Sequence, residues 1–165
     1  MSNNASKIHG GTEMLVIYSA QHHPEHSNRE LFDTGSDCNI TNDENDFIDG
    51  KYCDLSTRKF PIMTGAGLVY ATKVGTTRTI LRGLRGEPVV LNKKITFFIP
   101  GFPIKIFSGD RFYRAGHKIE GDKLVNKEGK MLSTFNVAKR GFLLWHHGET
   151  EPEINYEGYQ PPQNN

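Results

Sequence analysis

The chain has 165 residues, 36% of them apolar, and a formal net charge of +1, which suits one globular domain with its own core and excludes an intrinsically disordered chain. No apolar run approaches the roughly 18 residues needed to cross a bilayer, so no membrane partner is expected. Cys38 and Cys53 are too few for a disulfide framework or a cysteine-based zinc site, and the polar N-terminus lacks the apolar core of a signal peptide, so the expected setting is reducing and cytoplasmic.

In chain order, residues 1–12 read as a flexible leader. Glu13 to Ser19 is a compact β-forming run, and Gln21 to Asn28 a polar loop. Arg29 to Asp33 is a short strand broken by Gly35. Residues 36–57 are acidic and irregular, with Phe47 and Ile48 as expected buried anchors and Cys53 as an expected buried, small apolar side chain. From Lys59 onward, short β-rich runs alternate with Gly, Asn or Lys turns. The clearest are Phe60–Met63, Leu68–Val74, Thr76–Leu81, Val89–Leu91, Ile95–Ile99 and Ile104–Phe107. Gly109 to Ala115 has helical spacing, with Gly116 where a C-cap would sit. Residues 117–145 read as a β-meander, and 146–165, with Pro152, Pro161 and Pro162, as a disordered tail. The whole predicts an all-β barrel or sandwich with one short helix.

Charge is unevenly distributed. Residues 1–57 hold three Lys/Arg against ten Asp/Glu, whereas 58–140 hold seventeen against five. The basic segment could attract nucleic acid, but no RNA-binding motif with interleaved aromatics accompanies it. The favoured reading is that the acidic third and the basic middle face each other inside one fold.

Chemistry concentrates at Asp33-Thr34-Gly35-Ser36, which follows the apolar pair Leu31-Phe32. Aspartic protease chemistry needs two carboxylates about 3 Å apart sharing a proton and a water. Like charges that close cannot both ionise, so one member serves as base and the other as acid. Asp-Thr-Gly occurs once in the chain, so the second carboxylate has to come from a symmetry-related copy. Gly35 permits the tight turn and turns its N–H to the carboxylate. Thr34 offers a hydroxyl to link two such loops, and Ser36 one to bond the carboxylate. A cover for the cleft is expected at the glycine-rich hairpin tip Thr64-Gly65-Ala66-Gly67. The alternative for Asp-Thr-Gly is an ordinary turn, because all three residues are common in loops.

With this motif, the glycine hairpin and the strand-to-helix element Ile104 to Asp110, the chain resembles the retropepsin-like aspartic protease region of copia-type retrotransposon Pol polyproteins, from about Arg29 to Trp145. Leu31 to Gly35 matches the opening of that family, and Ile40-Thr41 with Phe47 mirrors the family's next segment. Phe97 to Gly101 matches an apolar strand ending in Pro-Gly. Ile106-Phe107-Ser108 with Ala115-Gly116 matches the late helix, and Lys127–Lys130 and Gly141–Leu143 the closing hairpins. Glu30 stands where members often carry Trp, and Asn39 where they often carry His. The resemblance implies a retropepsin-like closed β-barrel over 13–116, completed or extended by the 117–145 meander. It also implies a homodimeric active site and cleavage of a Gag-Pol polyprotein during maturation of virus-like particles. An alternative from the same residues is a catalytically silent β-barrel module that works through protein or nucleic-acid contacts.

No metal or cofactor is expected. His22, His23 and His26 match no zinc spacing, and His146 and His147 lack later cysteines. Asp37 to Asp49 has Asn42 where a calcium loop needs glycine. Gly65-Ala66-Gly67 begins a dinucleotide pattern that Tyr70 ends.

Overall fold

A computed structural model describes residues 29–58, 60–64, 67–135 and 143–149. The expected leader, the run Glu13 to Ser19, the His22–His26 loop, hairpin residues Gly65 and Ala66, and positions 150–165 lie outside the described residues. The strands are β1 (Glu30–Asp33), β2 (Asn39–Thr41), β3 (Cys53–Asp54), β4 (Phe60–Thr64), β5 (Gly67–Ala71), β6 (Lys73–Arg82), β7 (Pro88–Phe98) and β8 (Lys105–Ser108). Helix α1 (Gly109–Arg114) follows, then β9 (Lys118–Glu120), β10 (Lys123–Val125) and β11 (Met131–Thr134). The described chain is therefore mostly β with one short α-helix.

Six strands form one sheet in the order β1-β8-β2-β7-β6-β3. Strands β1 and β8 run parallel, as do β2 and β7, while β6 and β7 form a long antiparallel hairpin. Strands β4 and β5 make a separate hairpin, and β9, β10 and β11 a separate three-stranded sheet. Among the described residues no sheet closes on itself, which departs from the expected closed barrel. The edge of β1 and the end of β6 are instead joined by a strap, residues 143–147, through single bridges. Leu143 pairs with Leu31 and His146 with Leu81. Leu144 N donates to Glu30 O at 2.9 Å, Arg82 N to Trp145 O at 2.7 Å, and His147 N to Ile80 O at 2.9 Å. Residues 146–149, assigned by sequence to a disordered tail, thus belong to the folded body.

Strand alternation explains why the core has two parts. Leu31, Ile106 and Leu143 turn one way, into a cluster with Ile40, Ile99 and Ile104. Phe32, Phe107 and Leu144 turn the other way and meet Leu81, Phe112, Leu124 and Phe135. Phe32 is the hub of the second cluster, with ring centroids of Phe112, Phe107 and Phe135 at 5.3, 5.7 and 5.7 Å. The β9–β11 sheet joins the body through Leu124 and Phe135 rather than by extending the main sheet.

Other departures are local. Phe47 is buried as expected and Ile48 partly so, but Cys53 is exposed on the short edge strand β3. The run Leu68–Val74 is broken at Thr72, between β5 and β6. The runs Val89–Leu91 and Ile95–Ile99 are joined in one strand, because the Lys93 between them is buried against Glu30. Three ion pairs join the basic middle to the acidic third: Lys73 with Glu44, Lys93 with Glu30, and Lys105 with Asp46 at 2.8 Å. No helix among the described residues is long and apolar enough to cross a membrane.

Candidate active site

Asp33 is the last residue of β1, and the parallel register sets it opposite Ser108, the last residue of β8. Leu31 and Phe32, both buried, fix the strand on either face, so the carboxylate leaves the sheet at a defined point. The chain then turns. Ser36 N donates to Asp33 O at 3.3 Å, and Gly35 N donates to Asp33 Oδ1 at 2.8 Å. Asp33 is 6% exposed, whereas Thr34 beside it is exposed and Gly35 half-buried. A buried carboxylate is thus presented on a tight turn whose next residue faces outward.

The corner between β8 and α1 holds this turn from behind. Ser108 caps α1 by accepting from Arg111 N at 3.1 Å, and its hydroxyl donates to Ser36 O at 2.5 Å. Asn39 Oδ1 accepts from Ser108 N at 2.8 Å, and its amide donates to Ile95 O at 3.3 Å. Arg111 Nε donates to Asp37 O at 3.2 Å. Gly109 is required by contact: a Cβ there would lie 2.7 Å from Thr34 Cα and 2.9 Å from Asp33 O. Both are backbone atoms with little freedom to yield.

The N–H of Gly35 does reach the Asp33 carboxylate. The Ser36 hydroxyl does not; it donates to Cys38 O at 2.7 Å, so it shapes the loop rather than the carboxylate. Burial, with Asp37 nearby, raises the Cys38 thiol to about 11, so it behaves as a small apolar side chain.

The β4–β5 hairpin faces this loop across a cleft of about 420 Å³. Its lining includes Gly35, Ser36 and Cys38 of the loop, Ile62, Met63 and Thr64 of the hairpin, and Phe97, Phe102 and Ile106. Asp33 is not itself among the lining residues. Thr64 pairs with Gly67 at the end of the hairpin, and its hydroxyl donates to Gly67 O at 2.7 Å. Ile62 and Val69 anchor the hairpin on the core, while Met63, Leu68 and Tyr70 are about half exposed. Thr64 thus lines the cleft and pairs with Gly67 at the hairpin end; Gly65 and Ala66 are outside the described residues.

A second polar centre lies under β1, three residues before Asp33, and sequence reasoning missed it. Glu30, 1% exposed, meets Lys93 Nζ, Thr79 Oγ1 at 3.0 Å and His146 Nε2 at 3.0 Å. Burial alone would raise this carboxyl, but the charges and hydrogen bonds of Lys93 and His146 outweigh it and hold the group at about 2. No sequence signal brings Glu30, Thr79, Lys93 and His146 together, because their proximity exists only in the folded sheet. For Ser108 and Gly109 a signal did exist: Ser-Gly-Asp after an apolar strand is a helix start.

Among the described residues no group of three or more His, Cys, Asp or Glu side chains could hold a metal. Comparison of the chain with protein-family models, with curated proteins and with solved structures finds no match.

Proposed function

We propose that this chain is an aspartic endopeptidase of the retropepsin-like kind, active as a homodimer, from a copia-type retrotransposon and acting on its Gag-Pol polyprotein within virus-like particles. The observation that carries the reading is the placement of Asp33. Its buried carboxylate is fixed by the N–H of Gly35, on a turn braced by Gly109, beside a cleft that a hairpin covers. The exposed Thr34 next to it supports a second copy meeting the first at this loop.

In such a dimer two Asp33 carboxyls share one proton across the two-fold axis. The ionised member takes a proton from water as the oxygen attacks the scissile carbonyl. The neutral member donates its proton to the carbonyl oxygen, and the tetrahedral intermediate collapses as the leaving nitrogen is protonated. The cleft suits a polypeptide: its lining combines apolar side chains such as Ile40, Ile62, Phe97 and Phe102 with the polar Ser36, Asp37, Thr64 and Arg111. The expected test result is cleavage of an unstructured polypeptide by the purified chain at mildly acidic pH, abolished in Asp33→Asn with an unchanged circular dichroism spectrum. A chain that stays monomeric and inert across that range is a silent β module instead.

A further inference from the structure

The outward face of the β6–β7 hairpin differs chemically from the rest of the sheet. Cross-strand register sets Arg78 beside Asn92, Ile80 beside Val90, and Arg82 beside Pro88 on this face, while Thr77, Thr79 and Leu81 point inward and are buried. Lys94, two residues beyond Asn92, is also exposed. Ile80 is 42% exposed, Val90 53%, and Leu84 at the hairpin turn 47%, a run of uncovered apolar side chains among cations.

Lys73, Lys93 and Lys105 each have a carboxylate partner, Lys93 in the buried interior and Lys73 at the surface. Arg78, Arg82 and Lys94 have no carboxylate partner among the described residues. Arg78 reaches only the side-chain oxygen of Asn92, at 3.5 Å, and the Arg82 guanidinium lies over the Trp145 ring, 4.8 Å from its centroid. Beside Arg78 and Ile80 opens a polar pocket of about 190 Å³. Its lining holds the ion pairs Lys93–Glu30 and Lys105–Asp46 with His146, so Arg78 is the lining cation left to meet an entering carboxylate.

The geometry points to this face as a docking strip for an acidic peptide in which carboxylates alternate with apolar residues. Carboxylates would meet Arg78, Arg82 and Lys94, and apolar side chains would cover Ile80, Val90 and Leu84. Successive outward positions on a strand lie about 7 Å apart, the spacing of alternate residues in an extended peptide. Single-stranded nucleic acid satisfies the charge but not the apolar run. The exposed aromatics on which bases would stack, Tyr52, Phe60, Tyr70 and Tyr113, are not on the β6–β7 hairpin. The inference is independent of the Asp33 chemistry.

The test is fluorescence anisotropy with the full chain and a labelled synthetic peptide of Glu alternating with Ile and Tyr. Saturable binding is expected, weakened at least about tenfold by the double variant Arg78→Glu/Lys94→Glu and several-fold on raising salt from about 50 to 300 mM. Val90→Ser should weaken the peptide about threefold or more through the lost apolar contact. All three positions lie on the outward face, so unchanged thermal unfolding certifies the fold. No saturation at about 100 µM protein, binding indifferent to both variants, or an oligothymidylate binding more tightly than the peptide would each overturn the proposal.

Discussion

Replacing Glu30 by Gln tests how the body beneath the candidate site is held. The substitution keeps the shape and removes the charge, leaving Lys93, 7% exposed, buried without its counter-ion. Breaking one side of a buried pair costs about 3–5 kcal/mol. The carboxyl itself gives a consistent magnitude. Held at about 2 in the fold against its ordinary 4.5, it contributes about 3 kcal/mol at neutral pH. Because the folded value is the lower one, that contribution is fully present above pH 4.5 and is lost as pH falls towards 2. Stability is typically about 5–15 kcal/mol, so Glu30→Gln removes a substantial share of it. Urea denaturation of the wild type, Glu30→Gln, Lys93→Met and the double variant at pH 7 measures the coupling. Lys93→Met should cost far less in the Glu30→Gln background than in the wild type, and the wild-type advantage over Glu30→Gln should shrink between pH 4.5 and 2. Additive losses, or a single-variant cost below about 1 kcal/mol, would show that the pair does not hold the sheet.

The loop and its supports give three further expected outcomes. Gly109→Ala should displace the turn at Asp33 and Thr34 and destabilise by about 2 kcal/mol or more, read by denaturation; wild-type stability would mean the corner is looser than its contacts indicate. Ser108→Ala removes the helix cap and the bond to Ser36 O, and should cost about 1–2 kcal/mol by the same assay. At pH 8 iodoacetamide should modify exposed Cys53 first and Cys38 at least about tenfold more slowly, mapped by mass spectrometry; equal rates would contradict the burial of Cys38.

What the sequence disclosed is what local chemistry decides. Leu31-Phe32 before Asp-Thr-Gly announces a buried strand running into a tight turn, and Ser108-Gly109-Asp110 announces a capped helix. Both are present, and their parallel pairing makes one corner of them. What stayed hidden depends on distant partners. Asn39–Thr41 is short and polar, yet forms a central strand because Asn39 is satisfied by Ser108 and Ile95, and Thr41 hydrogen-bonds Asp46. Asn92-Lys93-Lys94 reads as a turn until Glu30, 63 positions away, accounts for Lys93. The strap at 143–147 was invisible as a closing element because its hydrogen bonds go to two strands that share no local sequence with it.

The central claim, that catalysis needs one Asp33 from each of two chains, is tested most directly by mixing. Wild-type and Asp33→Asn chains are unfolded together, refolded in equal amounts at a concentration where dimers prevail, and assayed on an unstructured polypeptide. Relative to the same total amount of wild-type chain, random pairing leaves about one quarter of the rate, because only a dimer with two carboxylates can share the proton. A rate of one half would place a complete site in a single chain, and the absence of cleavage by wild-type chains alone would contradict the peptidase reading itself.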